Sequence, residues 1–181
     1  WDGAAWRRDD ASCRWSATTS ALSPQGTRST AWADPTAYLA VPGRAYAMDM
    51  SNTPGIKGIH HVTLTVTELD ATVDWFRKVL GFELLTRITH NGLDKALCRL
   101  GPAIVTFIDH GEARVGDRFD EHRVGLDHLS FAVDADTIEA WGRCLDELGV
   151  TRSEIVDGLS GRVLSFRGPD NIALEFYTLP A

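Results

Sequence analysis

The stretch IHHVTLTV at residues 59–66 returns in altered form as DHLSFAV at residues 127–133. In both stretches apolar side chains alternate with a histidine and small polar side chains, which is the period of a strand with one face in a core and the other outside it. The two histidines, His61 and His128, share the same phase and are 67 positions apart. The pattern predicts two copies of one unit, each of which opens with a strand.

An amphipathic helix is predicted after each opening strand. Apolar residues recur at helical spacing over 69–80 and again over 138–148, and Gly81 and Gly149 can end the two helices. Two pairs ahead of these helices have the spacing of a capping box: Thr67 with Asp70, and Asp136 with Glu139.

Three further strands are predicted in each copy, at 82–88, 95–100 and 104–108 and at 152–156, 162–166 and 172–177. A unit of this size is too small to fold alone and is expected to pack against its twin. The predicted fold class is therefore α+β, with paired βαβββ modules that form a curved mixed sheet around a cavity. Module one is predicted at 56–113 and module two at 124–181.

Residues 1–55 are predicted to be a disordered or non-native N-terminal tail. The first 47 residues show neither helical nor strand periodicity and contain three prolines. Because the only methionines are Met48 and Met50, we expect translation to start there and the preceding residues to be upstream sequence.

The composition argues against several classes of function. A net charge of -7 disfavours nucleic acid as a partner, because binding to phosphates needs clustered Lys and Arg. No apolar run approaches the roughly 20 residues that span a bilayer. The three cysteines are widely spaced, which predicts neither a disulfide framework nor a Cys-zinc site. We expect a cytoplasmic protein with no membrane partner.

A metal site is predicted where the two copies meet. His61 and His128 are expected to converge from paired first strands. Glu175 alternates with Leu174 and Phe176 on the last strand, so it can face the same concavity. Two imidazoles and one carboxylate suit one divalent ion, Fe²⁺, Mn²⁺, Ni²⁺, Co²⁺ or Zn²⁺, and leave positions open for substrate.

These residues also resemble a known family. The chain resembles the vicinal oxygen chelate superfamily in four segments that occur in order: HVTLTV at 61–66, FRKVLGF at 76–82, HLSFAV at 128–133 and GPDNIALEFY at 168–177. That superfamily includes glyoxalase I, extradiol dioxygenases, fosfomycin-modifying thiol transferases and bleomycin-binding proteins. The resemblance implies βαβββ modules, often completed in a homodimer, around a metal that chelates two neighbouring substrate oxygens. It places the metal ligands at His61, His128 and Glu175.

Departures from the family patterns leave the reaction open. Glyoxalase I has a carboxylate ligand where this chain has Thr106, which argues against methylglyoxal chemistry. The tyrosine of extradiol enzymes is replaced by the Ser165-Phe166 stretch. Thr63 matches a threonine of fosfomycin enzymes, but their potassium-binding loop is not recognisable in 157–161.

The expected function is a divalent-metal-dependent lyase, dioxygenase or transferase that acts on a small molecule. The alternatives are a metal-free, bleomycin-resistance-like binding protein and a fosfomycin-type thiol transferase. His60 is expected on the helix side of its strand, either packed in the core or in contact with a metal ligand. Five other side chains are candidates for substrate binding or catalysis: Thr63, Thr106, Ser130, Tyr177 and His122.

Overall fold

The structure is a computed structural model. It describes residues 58–178 and the backbone of two short strands, β1 (Ala5–Arg8) and β2 (Trp15–Thr18), which pair antiparallel. The sequence did not predict this strand pair, and the rest of the predicted tail at 1–55 lies outside the described residues. Within the described part of the chain, no helix is long and apolar enough to cross a membrane.

Module one has the predicted order of one strand, one helix and three strands. Its elements are β3 (Val62–Thr65), α1 (Leu69–Leu80), β4 (Glu83–His90), β5 (Leu93–Leu100) and β6 (Ala103–Asp109). The strands form a four-stranded sheet in the order β3-β6-β5-β4, in which β3 runs parallel to β6 and the other pairs are antiparallel.

Module two repeats this arrangement. Its elements are β7 (Leu129–Val133), α2 (Ile138–Glu147), β8 (Val156–Asp157), β9 (Arg162–Arg167) and β10 (Ala173–Thr178). The sheet order is β7-β10-β9-β8, and β7 runs parallel to β10. The paired βαβββ architecture predicted from the repeat is therefore confirmed.

One strand of module two is shorter than predicted. The segment 152–156 forms only an isolated bridge, between Arg152 and Phe166, before the two-residue β8 begins. The Ser153 hydroxyl oxygen accepts the N–H of Ser165, a role that a main-chain carbonyl has in a regular ladder. Hydrophobic alternation alone could not reveal this substitution of side chain for backbone.

Strand register confirms the alignment of the two copies. Thr63 on β3 lies opposite Thr106 on β6, and Ser130 on β7 lies opposite Glu175 on β10. Thr106 and Glu175 therefore occupy equivalent places beside the first strand of their module.

The helix ends agree with the sequence, but the helix starts do not. α1 ends at Gly81, whose φ of 71° is the left-handed conformation that glycine favours. Neither helix has the predicted capping box. The Thr67 hydroxyl instead donates to Asp170, and Glu139 pairs with Arg162. In both cases a charged partner distant in sequence displaces the short-range bond.

Both modules contribute their helix-side faces to one hydrophobic core. The core includes Phe76 and Phe107 of module one and Leu164 and Phe176 of module two, and the Phe82 and Phe131 rings meet across the modules with centroids 6.0 Å apart. The predicted alternation holds in each opening strand, since apolar residues face this core and polar residues lie on the other face. The histidine-bearing faces are thus left outside the core.

Candidate metal centre

His128 and Glu175 approach each other in module two, where β7 begins beside β10. His128 directly precedes β7, and Glu175 lies in the middle of the adjacent β10. The His128 Nε2 is 3.7 Å from the Glu175 Oε1. The Glu175 side chain is 17% exposed and that of His128 is 44% exposed, so the pair lies at the surface of the sheet and is open to a ligand.

The ring of His128 is held by the residue before it. Its Nδ1 is 2.7 Å from the Asp127 Oδ1. A carboxylate accepts hydrogen bonds, so Nδ1 carries the proton and the Nε2 lone pair faces Glu175. An imidazole nitrogen and a carboxylate oxygen on rigid strands are donors that divalent transition metals accept, and the pair fits such an ion.

His61 directly precedes β3 of the other sheet and lies next to a second histidine. It is exposed, and its Nδ1 is 2.8 Å from the Nδ1 of His60. His60 is also exposed, so its expected packing in the core is wrong, whereas its contact with His61 agrees with the other role expected of it. Both histidines precede Val62, where β3 begins, so the alternation of the strand does not yet orient them.

The three predicted ligands do not gather in a single chain. Within residues 58–178, the one group of three ligating side chains whose donor atoms all lie within 4.8 Å of one another is formed by Asp120, Glu121 and His122. The expected pairing of the two first strands is absent from the described residues, where β3 and β7 are edge strands of separate sheets. One chain thus brings His128 and Glu175 together in module two and leaves His61 apart from them in module one.

Three of the other candidates follow the register of the sheets. Thr63 is exposed, two residues after His61, and Thr106 beside it is only 7% exposed. Ser130 is exposed beside Glu175. Each hydroxyl belongs to the sheet that bears one of the predicted ligands.

Tyr177 is held by a tight turn that the sequence did not single out. The Ser160 N–H donates to the Tyr177 hydroxyl oxygen at 2.9 Å, and hydrogen bonds from Ser160 hold the pKa of Tyr177 below its ordinary value. A Cβ on Gly158 would lie 2.6 Å from that hydroxyl, and one on Gly161 would lie 2.5 Å from the Thr178 carbonyl oxygen. The two glycines that flank Leu159-Ser160 were the available signal for this close approach.

The connecting segment holds the last candidate, His122. Its ring Nδ1 is 3.1 Å from the Asp120 Oδ1, and its side chain is 88% exposed. Glu121 next to it accepts two hydrogen bonds from Arg167, which lower the pKa of Glu121 to about 2. Glu121 is therefore already paired, which weakens this group as a metal site.

A cavity of about 300 Å³ follows the open edge of β3. Residues 63–67 form one wall and the connecting segment forms the other, which brings Arg118 and Arg123 to the lining. Thr63 belongs to this lining, so the cavity begins two residues from His61. The lining includes three arginines and three aspartates: Arg114, Arg118, Arg123, Asp117, Asp120 and Asp170. Arg114 is paired with Asp109, so the guanidinium groups of Arg118 and Arg123 are the ones that can bind an anionic group of a ligand.

Comparisons with known proteins agree with this architecture. The family model of the Glyoxalase/Bleomycin resistance protein/Dioxygenase superfamily matches residues 58–176. A glyoxylase/bleomycin resistance protein/dioxygenase domain from Frankia sp. EAN1pec is 33% identical, with 68% of this chain and 93% of that chain covered and a TM-score of 0.63. None of the curated proteins compared with the chain matches it at a significant level.

Two further solved structures are similar in fold. A glyoxalase family protein from Enterococcus faecalis is 27% identical, with 67% of this chain and 97% of that chain covered and a TM-score of 0.57. The fosfomycin resistance protein FosX from Listeria monocytogenes, complexed with Mn(II) and a dihydroxypropylphosphonic acid, is 18% identical, with 68% and 90% covered and a TM-score of 0.55.

Proposed function

Because the chain belongs to the Glyoxalase/Bleomycin resistance protein/Dioxygenase superfamily, we propose that it is a divalent-metal-dependent enzyme whose small substrate binds through two neighbouring oxygens. The approach of His128 Nε2 to Glu175 Oε1, at 3.7 Å on adjacent strands, carries this proposal. His61 is the third ligand in the proposed site. The remaining coordination positions are left for the substrate.

A second copy of the chain completes the proposed site. Within the described part of the chain, β3 and β7 are edge strands with one side unpaired, which favours pairing with another chain. Large apolar side chains are exposed near the start of β3 and in the segment before β7, namely Ile59, Val115, Val124 and Leu126. In the proposed homodimer, His61 of the partner subunit joins His128 and Glu175, since one chain does not bring the three together.

A divalent metal in this site would supply Lewis-acid chemistry, which lowers the pKa of a coordinated hydroxyl and stabilises negative charge on a neighbouring oxygen. The protein holds the substrate beside the ion through short hydroxyl side chains. Ser130 lies next to Glu175, and Thr63 lies on the strand that follows His61. These groups can donate to substrate oxygens without adding charge to the site.

Tyr177 is the proposed proton-donating or hydrogen-bonding group on the Glu175 side. It follows Glu175 by two residues on β10, and both side chains are partly exposed. Because the Ser160 N–H already donates to the phenol oxygen, the phenol can direct its own proton to a substrate oxygen.

Thr106 limits the reaction type. It occupies the place in module one that Glu175 has in module two, and a threonine hydroxyl is a poor base compared with a carboxylate. A reaction that needs a second carboxylate at that position to abstract a carbon-bound proton is therefore disfavoured. Addition to, or rearrangement of, a substrate with adjacent oxygens remains the better fit.

The proposed substrate carries an anionic group besides its two oxygens. Arg118 and Arg123 line the cavity that starts at Thr63, and neither has an ion pair within residues 58–178. The FosX neighbour was solved with a dihydroxypropylphosphonic acid, a molecule with adjacent oxygens and an anionic group.

Cobalt substitution tests the proposed function. Co²⁺ is added to metal-free protein, its visible spectrum is recorded, and catechol is then added as a probe with two adjacent oxygens. We expect a spectrum that requires Glu175 and His128 and changes with catechol. Catechol binding that is equal with and without Co²⁺, and unaffected by Glu175→Gln, would support a metal-free binding protein instead.

A further inference from the structure

The residues that precede the two ligating histidines occupy equivalent places in the repeat. His60 and Asp127 are 67 positions apart, as are His61 and His128. Each bonds to the Nδ1 of the histidine after it, at 2.8 Å in module one and 2.7 Å in module two. The same local contact is therefore made twice, by side chains of different chemistry.

The contact in module two can be made in only one way. A carboxylate oxygen of Asp127 accepts this hydrogen bond, so His128 donates from Nδ1. The Nε2 of a neutral His128 is then always an acceptor, directed toward Glu175 at 3.7 Å.

The contact in module one can be made in two ways. If His61 donates from Nδ1 to His60, its Nε2 is free to bind a metal. If His60 donates instead, the proton of a neutral His61 is on Nε2, which then cannot bind a metal. His60 therefore leaves His61 divided between a competent and a blocked tautomer.

We propose that Asp127 and His60 are positioning residues of unequal strength, so that the His128–Glu175 pair is the preformed half of the metal site and His61 joins it second. The inference rests on the proposed function, because it assumes that these histidines bind a metal. It goes further by assigning the order of assembly to two residues that do not themselves bind the ion.

A purely structural role for Asp127 makes a different prediction. The Asp127 side chain is 72% exposed, and exposed ion pairs contribute little to stability. Loss of Asp127 should therefore leave the melting temperature of the metal-free protein unchanged while it weakens metal binding.

The test is the Zn²⁺ affinity of the full-length chain, measured at pH 7.5 by competition with a chromophoric chelator. Asp127→Ala should weaken binding by about 10–100-fold, the usual cost of removing a partner that orients a ligating histidine. Asp127→Asn should recover part of this loss, because its amide oxygen still accepts from Nδ1. His60→Ala should change affinity by no more than about twofold, since the contact with His60 can form with either tautomer of His61 and does not select the competent one.

Asp136→Ala is the matched control, because it also removes an exposed carboxylate from module two and makes the net charge less negative by the same amount. A spectroscopic measurement tests the hydrogen bond between His128 and Asp127 directly. In the Co²⁺ protein, the exchangeable Nδ1 proton of His128 should give a shifted NMR signal that exchanges faster with water in Asp127→Ala.

Equal Zn²⁺ affinities for Asp127→Ala and Asp136→Ala would overturn the inference, as would a larger loss in His60→Ala than in Asp127→Ala. These outcomes would leave the proposed function intact, provided that Glu175→Gln still loses Zn²⁺. If Glu175→Gln binds Zn²⁺ as tightly as the wild type, the proposed function itself fails and the inference fails with it.

Discussion

Asp170 in module two accepts both the backbone N–H and the hydroxyl of Thr67 in module one, at 2.8 and 2.5 Å. The same turn also accepts the N–H of Phe119 from the connecting segment at the Asp170 carbonyl, at 2.7 Å. Asp170 has a φ of 55°, in the left-handed region that Asp tolerates better than most residues. The turn that leads into β10, and so to Glu175, is thereby fastened to the other module.

Loss of this contact should destabilise the fold. Asp170→Ala removes a charged acceptor from two partly buried donors, and we expect the free energy of unfolding to fall by about 1–3 kcal/mol. Chemical denaturation measures the change. Thr67→Val completes a double-mutant cycle, in which a strong coupling energy is expected because the two side chains bond directly. Additive effects of the two substitutions would contradict the assigned contact.

Acid should weaken the link between the connecting segment and β9. Arg167 lowers the pKa of Glu121 from 4.5 to about 2 by a side-chain hydrogen bond. A carboxyl with a depressed folded-state pKa contributes stability above the unfolded value, and this contribution is lost as the pH falls from about 4.5 to about 2. The free energy of unfolding, measured by denaturation across this pH range, should therefore fall more steeply for the wild type than for Glu121→Gln.

Glu147→Gln is the control for this pH series, because it removes an exposed carboxylate at the end of α2. Its unfolding curves should keep the pH dependence of the wild type. An unchanged slope in Glu121→Gln would show that the Arg167 pair does not form in solution.

Two glycine substitutions should differ in their effect on the free energy of unfolding. Gly161→Ala would place a Cβ within 2.5 Å of the Thr178 carbonyl oxygen and 3.0 Å of the Tyr177 ring, so the turn must shift. We expect a loss of about 1–3 kcal/mol. Gly142→Ala in α2 meets only ordinary contacts from 3.7 Å and should be neutral or stabilising by up to about 1 kcal/mol. Thermal unfolding compares the two, and equal effects would contradict the close approach at Gly161.

The Tyr177 hydroxyl should contribute to the binding of catechol and not to the binding of the metal. Tyr177→Phe removes the phenol hydroxyl but leaves the ring in place, and we expect catechol to bind the Co²⁺ protein about 5–10-fold more weakly, the value of one hydrogen bond of about 1 kcal/mol or slightly more. Metal affinity should be unchanged. Leu159→Ala, at the fully exposed tip of the same turn, is the control and should bind catechol as the wild type does.

Local sequence patterns predicted the elements that depend on short-range physics. The alternation in 59–66 and 127–133 gave the buried and exposed faces of β3 and β7, and Gly81 marked the end of α1 because only its backbone enters the left-handed region easily. The comparison with glyoxalase I singled out Thr106, and strand register places it where Glu175 lies in the second copy.

Contacts between distant residues escaped the same reasoning. Thr67 fits a local capping box, but the Asp170 carboxylate, 103 positions away, is a stronger partner for its hydroxyl. The position of His60 was missed for a different reason. The strand starts only at Val62, so the alternation of β3 does not orient His60, and the His60 ring contacts His61. Periodicity likewise does not show that the strands of the two modules form separate sheets, because it contains no information on contacts between modules.

Anomalous X-ray diffraction from crystals grown with Zn²⁺ tests the ligand assignment most directly. We expect one peak per chain, about 2.0–2.2 Å from His128 Nε2, a Glu175 carboxylate oxygen and His61 of the partner subunit. A peak at Asp120 and His122 with none at Glu175, or an ion bound by Glu175 with no histidine, would contradict it.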